Sequence, residues 1–241
     1  MFQGLTHASW WLDKLYLLPG ILFGLVLHEY CHGYAAYRMG DPTAKEAGRL
    51  TFNPLKHLDI LGTALLFFWR FGWAKPVPIN PYNFRNRRWG VLASSAAGPL
   101  SNLVAALGFG LLVNLLCRQL VATPAAFHSV ALRTGYLVLF NALYINIVLA
   151  LFNLIPVPPL DGSHVLGALL PARAQQTYGP FLSRYGHVVI IIFAVVMALG
   201  PDFGLPVFHW LITPPLSFFV HLFTGRTLNE LWYIYATLAG F

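Results

Sequence analysis

Charge is scarce in this sequence. Only 10% of its 241 residues are Asp, Glu, Lys or Arg, against about 25% in a soluble globular domain. A chain of this length folding in water needs a polar shell that so few charges cannot supply. Cysteine is nearly absent. Cys31 and Cys117 lie far apart, in different apolar stretches, which excludes a disulfide framework and a Cys-based zinc site. Both read as small apolar packing residues. A basic leader with a small-residue cleavage site is also missing: Asp13 and Lys14 precede the first apolar stretch, so no cleavable signal peptide is expected. No internal repeat or low-complexity tail is visible.

What is present is apolar. Hydrophobic residues make up 57% of the chain, and the mean hydropathy is +0.63. They fall in six blocks: about Leu15 to Met39, Ile60 to Trp73, Trp89 to Cys117, Val130 to Ile155, Gly186 to Leu199 and Phe203 to Phe223. A helical span needs roughly 20 residues to cross the hydrocarbon core. The first, third, fourth and sixth blocks meet that length. The fifth does so only if Pro180 to Tyr185 extend it. The second is short and carries Arg70 and Gly72, so it reads as a re-entrant or interfacial segment. The stretch Trp73 to Phe84 contains Pro76, Pro78 and Pro81, which forbid a helix interior and leave an extended or β-edge segment. The expected fold is an all-α polytopic membrane protein with about five transmembrane helices plus a short re-entrant or β-like membrane segment. It forms a single domain over 1–241, with a core at about 15–170 and a C-terminal helical pair at about 180–223.

The net charge is +7, but the basic residues sit between apolar blocks. That disfavours nucleic-acid binding and makes the charge a topology signal. With the second block re-entrant, all but Lys14, Arg118 and Arg133 of the 15 basic residues collect on one side. The positive-inside rule makes that side cytoplasmic. The expected location is the cell membrane, multi-pass, with the N-terminus outside and the C-terminus inside.

The first chemistry-bearing motif is His28-Glu29-Tyr30-Cys31-His32. On a helix, residues i and i+4 share a face, so two imidazoles can grip one metal ion. Zinc accepts neutral imidazole and, in catalytic sites, takes three protein ligands plus water. Glu29 stands beside that position, where a carboxylate can take a proton from water. An ionisable cluster inside an apolar span is costly and is by default functional. The bland alternative, polar residues at a helix end, gives the intervening Glu nothing to do.

The second motif is Asn153-Leu154-Ile155-Pro156-Val157-Pro158-Pro159-Leu160-Asp161-Gly162. Its prolines end the fourth block and leave backbone groups needing partners. An Asp-Gly turn is the better reading of Asp161 taken alone. The charge count, however, puts His28, His32 and Asp161 at the same membrane face, where the carboxylate can complete a His₂Asp site.

These motifs resemble the site-2 protease family of intramembrane metalloproteases (peptidase family M50). Further matches are G-R-L-T-F-N-P-L-K-H-L-D from Gly48, G-W-A-K-P-V-P-I-N-P from Gly72 and A-G-P-L-S-N from Ala97. The chain is similar to the compact bacterial branch without PDZ or CBS domains, over about Leu15 to Leu170. The resemblance implies one zinc ion held by His28, His32 and Asp161, with Glu29 as general base. It also implies a catalytic role for Asn153, which matches a family Asn eight residues before the Asp and holds the substrate backbone or the oxyanion. The implied partners are a transmembrane protein substrate and the lipid bilayer. One departure is Ile60-Leu61 after Asp59, where this branch usually has Pro.

Other polar residues read more blandly. His57 and Asp59 are expected in a solvated loop rather than at an accessory metal site. Asn102, Asn141 and Asn146 read as interhelical hydrogen-bonding groups. His164 stands three residues after Asp161, equally placed as a neighbour of the site or as an interfacial residue. His128, His187, His209 and His221 read as interfacial. A zinc-binding membrane transporter or channel is the alternative from another class, but it has no need of a Glu between the two His.

Overall fold

The computed structural model describes residues 8–63, 74–123, 129–171, 173–180, 184–186, 188, 191 and 207–239. The named helices are α1 (Ala8–Arg38), the short α2 (Thr43–Glu46), α3 (Arg87–Ala122), α4 (Val130–Asn153), α5 (Asp161–Leu169), α6 (Val207–Thr224) and α7 (Leu228–Ala239). Three of them are long and apolar enough to cross a membrane, over Lys14–Arg38, Arg87–Leu120 and Val130–Asn153. The helical expectation is met. Residues 64–73, the bulk of the expected re-entrant block, and 192–206, which include the end of the fifth block, lie outside the described residues.

Helices α1, α3 and α4 pack on one another and form the frame of the site. Small residues set their spacing. A Cβ on Gly20 would come within 2.7 Å of Ala142 Cα, and one on Gly24 within 2.9 Å of Asn146 Oδ1. Close backbone approach through small residues is how helices gain contact where no water drives them together. The pairs 20 with 142 and 24 with 146 also show that α1 and α4 run parallel. Asn102 reaches back to Gly24 and His32 to Ser94, so α3 runs antiparallel to both. The outer faces carry exposed Leu18, Phe23, Leu100, Val104, Leu107 and Leu111. Such continuous apolar surface is what a lipid-facing wall requires.

Each end of this frame has a local cause. Asn86 caps α3 by accepting from Trp89 N–H, and Ser129 caps α4 by accepting from Leu132 N–H. The prolines after Asn153 stop α4. The chain then turns back so tightly that a Cβ on Gly162 would lie 2.2 Å from Leu154 O, and α5 starts at Asp161.

Residues 74–80 are extended, as their prolines require, but Pro81–Asn83 depart from the expected extended run and form one 3-10 turn capped by Asn80. Leu58 and Ala74 form an antiparallel bridge, Lys75 N–H donates to His57 O at 2.8 Å, and Arg49 Nη2 donates to Lys75 O at 2.7 Å. No longer ladder forms among the described residues. His57 is fully buried, with Nε2 2.8 Å from Thr51 O, which corrects its expected place in a solvated loop. Asp59 accepts from Gly62 N–H at 2.8 Å. The histidine braces the loop that carries the extended segment.

The C-terminal part shows a packing that a charge count does not register. Helix α7 packs on the first half of α4. Arg133 donates through Nε and Nη2 to Leu238 O, Tyr136 OH donates to Leu231 O at 2.8 Å, and Trp232, edge to face, and Tyr235, tilted, pack against Phe140. The last described turn of the chain therefore lies at the Arg133 end of the bundle, opposite Asn153 and Asp161. The charge count assigned Arg226 by counting crossings, and side-chain packing has no part in that count.

Candidate active site

Helix α1 presents His28 and His32 on one face, one turn apart, with ring centroids 4.5 Å apart and edge to face. Asp161, the first residue of α5, brings its Oδ2 to 3.1 Å from His28 Nε2 and 3.2 Å from His32 Nε2. The three candidate ligand atoms lie within 4.8 Å of one another, and both imidazoles are buried. Charge topology placed the three at one membrane face, and the structure brings their side chains together.

The hydrogen bonds behind the rings decide what this cluster holds. His32 Nδ1 is 2.7 Å from the main-chain oxygen of Ser94. A carbonyl only accepts, so Nδ1 carries the hydrogen and, in the neutral ring, Nε2 carries the lone pair. His28 Nδ1 is 2.6 Å from Asn102 Oδ1, which imposes the same tautomer. Two nitrogen lone pairs and a carboxylate oxygen then face one another, with no hydrogen among them. The centre demands a cation. Two imidazoles and one carboxylate are the donor set of catalytic zinc sites, so the residues fit that metal.

Glycine makes room for the rings. A Cβ on Gly98 of α3 would stand 2.4 Å from His32 Nε2 and 2.8 Å from His28 Cε1. This is the role of the glycine in A-G-P-L-S-N, and the sequence alone does not show it.

Glu29 accepts from Val77 N–H through Oε2 at 2.8 Å. Among the described residues, its Oε1 takes no hydrogen bond. Among the described residues, no hydrogen bond reaches the carbonyls of residues 76–79 either. A cavity of about 620 Å³ opens over the cluster, lined by Glu29, Val77, Ile79, Asn153, Leu160 and His164, among others. Asn153 turns its Nδ2 back onto Leu149 O at 2.9 Å, and His164 shares the cavity wall. Asn141 donates to Leu137 O and reaches Tyr235 OH at 3.3 Å, away from the cluster. Of the residues passed over in the sequence, the Ser94 carbonyl and the Val77 amide left no signal, because main-chain atoms carry none.

A helical bundle holding an H-E-x-x-H pair and a distant Asp around one cavity defines a metallopeptidase-type site at the end of apolar helices. The family model for peptidase family M50 matches residues 16–198, and the chain belongs to that family. It is 42% identical over 184 residues to YwhC of Bacillus subtilis (strain 168), whose name assigns it provisionally to the zinc metalloproteases; the match covers 75% of this chain and 80% of YwhC. It is 29% identical over 190 residues to Rip2 of Mycolicibacterium smegmatis, covering 76% of this chain and 68% of Rip2. It is also 29% identical over 227 residues to Rip2 of Mycobacterium tuberculosis (strain H37Rv), covering 91% and 81%. Both Rip2 proteins carry the same provisional zinc metalloprotease name. No solved structure matches the chain.

Proposed function

We propose that this chain is an intramembrane zinc metalloendopeptidase that hydrolyses peptide bonds in or near transmembrane segments of membrane proteins. The observation that carries the reading is the convergence of His28 Nε2, His32 Nε2 and Asp161 Oδ2, with Glu29 alongside. His28, His32 and Asp161 hold one zinc ion. Bound there, zinc supplies Lewis acidity and lowers the pKa of water to about 7. Glu29 takes the proton at Oε1, since Oε2 is occupied by Val77 N–H, and passes it to the leaving amine. Asn153, on the cavity wall, holds the substrate backbone or the developing oxyanion.

The substrate is a transmembrane helix that unwinds locally, because a helical peptide bond is shielded by its own hydrogen bonds. An unwound strand at membrane depth needs partners for its amides, and the open carbonyls of residues 76–79 supply them by strand addition. The core is residues 15–170, in a multi-pass chain of the cell membrane. The catalytic end faces the cytoplasm on the strength of the basic surplus there, and the N-terminus lies outside.

The test is Glu29→Gln in purified protein reconstituted with a transmembrane substrate. Cleavage is expected to fall by about 10²–10⁴-fold with zinc content unchanged. Retained cleavage would remove Glu29 as the base. A zinc-binding transporter would keep its transport in the same variant.

A further inference from the structure

Three helices are tied together by two asparagines that lie outside the set of residues assigned to zinc and substrate. Asn102 on α3 and Asn146 on α4 are both fully buried. Asn102 Nδ2 donates to Gly24 O of α1 at 3.0 Å and to Asn146 Oδ1 at 2.8 Å. Asn146 Nδ2 donates to Ala142 O at 2.8 Å.

The two main-chain carbonyls fix both amides. Ala142 O accepts only, so the Asn146 side facing it is nitrogen, and its oxygen must face Asn102. Gly24 O accepts only, so the nitrogen of Asn102 faces it, and the oxygen of Asn102 must face His28. That oxygen lies 2.6 Å from His28 Nδ1. Nδ1 must then donate, and the lone pair of the ring stands on Nε2, toward Asp161. No other side chain is hydrogen-bonded to Nδ1 of His28 among the described residues.

We infer that Asn102, held in orientation by Asn146 and Gly24 O, is a positioning residue that fixes the tautomer and ring angle of His28 and so sets the metal affinity of the site. An acceptor behind a ligating imidazole orients the ring and raises its basicity, and removing it commonly costs about 10- to 100-fold in metal affinity. His32 obtains the same service from the Ser94 carbonyl, which no side-chain substitution removes. The asymmetry is that His32 depends on the contact of α1 with α3 alone, whereas the acceptor behind His28 is held by a side chain of α4 as well: separation of α3 from α4 takes Asn146 away from Asn102 and loosens the hold on the ring. The inference rests on the zinc reading of the site.

The experiment uses the zinc-loaded full chain in detergent. Zinc affinity is measured by competition with a chelator. The tautomer of His28 is read from ¹⁵N-histidine spectra after zinc removal, its signal identified by its loss in His28→Ala. Wild type is expected to carry the proton on Nδ1. Asn102→Leu should lower zinc affinity about 10- to 100-fold and shift His28 to a mixture of tautomers. Asn146→Leu, which touches neither His28 nor zinc, should move both readouts the same way by a smaller, several-fold amount. Affinity within twofold of wild type, or an unmoved His28 signal, in Asn102→Leu overturns the inference. If that variant does not fold, the same two readouts in Asn146→Leu decide. Failure of wild type to hold zinc would overturn the zinc reading instead, while the tautomer and its dependence on Asn102 would still be read from the spectra.

Discussion

The main-chain amide of Val77 donates to Oε2 of Glu29 at 2.8 Å. Pro76 and Pro78 have no N–H, so Val77 carries the one amide hydrogen in the Pro-Val-Pro run. The carboxylate of Glu29, beside the His28, His32 and Asp161 cluster, claims it. Among the described residues, nothing donates to the carbonyls of the same three residues. One short sequence therefore holds the proposed base by its amide and, under the proposed mechanism, offers acceptors to a substrate strand.

That relationship predicts a separation of functions. Replacing Val77 and Ile79 together with Gly keeps every N–H but loosens the backbone that aims it. Cleavage of a transmembrane substrate should fall by about tenfold or more, since misplacement of about 1 Å can cost 10²-fold. Zinc content should stay at the wild-type level, because the polar partners of His28, His32 and Asp161 among the described residues include neither residue. Cleavage and zinc are to be measured on the same preparation. Unchanged cleavage removes the segment from the mechanism, and parallel loss of zinc makes it a structural brace.

Gly98 supports a sharper prediction. Its missing Cβ would stand 2.4 Å from His32 Nε2 and 2.6 Å from His32 Cε1, far inside van der Waals contact. Gly98→Ala must push the ring off its position or force α1 and α3 apart. Zinc content should fall to a small fraction of wild type. Gly108→Ala is the control on the same helix, since nothing lies within 4 Å of its Cβ. It should keep zinc and gain up to about 1 kcal/mol from helix propensity. Equal zinc in both variants would show that the rings do not depend on that glycine.

The site was legible in the sequence where chemistry follows local spacing. His28 and His32 share a face because a helix repeats every 3.6 residues, and the proline run after Asn153 announces the turn that delivers Asp161. Asn102 and Asn146 were legible as interhelical groups, but which ring they serve depends on tertiary distances. Gly98 and the Val77 amide were not legible, because one acts by lacking an atom and the other through its main chain. In the fold, the three long helices follow from apolar length. His57 was misplaced because its polarity suggested solvent, whereas a buried imidazole with one main-chain partner braces the loop. The packing of α7 along α4 was not legible, because a charge count cannot see side-chain contacts.

Acid stability should be governed partly by Asp41, outside the membrane-crossing helices. Its carboxylate is fully buried. It accepts from Thr43 N–H, the Thr43 hydroxyl, Asn83 Nδ2 at 2.8 Å and Asn80 N–H at 2.7 Å, pinning the far end of the extended segment to the start of α2. Burial pushes its pKa up, but these hydrogen bonds outweigh burial and leave it below the ordinary 3.8. The folded state therefore binds this proton less readily than the unfolded chain. The stabilisation is fully present above pH about 3.8 and is lost as pH falls through the folded value. Asp41→Asn should cost about 1–3 kcal/mol near neutral pH and flatten the acid limb of the stability profile. Detergent-solubilised melts across pH test this, and an unchanged acid limb would assign the acid sensitivity elsewhere.

The packing of α7 makes the last prediction, on topology. Helices α1 and α4 run parallel, so the start of α1 and the Arg133 end of α4 share one end of the bundle, and His28, His32 and Asp161 share the other. Leu238 O sits on Arg133. A reporter fused after Phe241 should therefore read on the same side as a tag before Met1, and opposite to one inserted after Gly179, beyond α5. If the catalytic end is cytoplasmic, both termini are external. This reverses the side that the charge count gives to the C-terminus, yet it leaves the orientation signal intact. Moving Arg226 still leaves all basic residues but Lys14, Arg118, Arg133 and Arg226 at the catalytic end, and it is the surplus that orients the chain. A cytoplasmic C-terminal reporter together with an external N-terminal one would mean that α7 does not lie along the first half of α4. In that case Arg133→Ala, which removes the bond to Leu238 O, should leave stability unchanged, whereas the packing described here predicts a loss of about 1–3 kcal/mol from an orphaned carbonyl and a lost charged hydrogen bond.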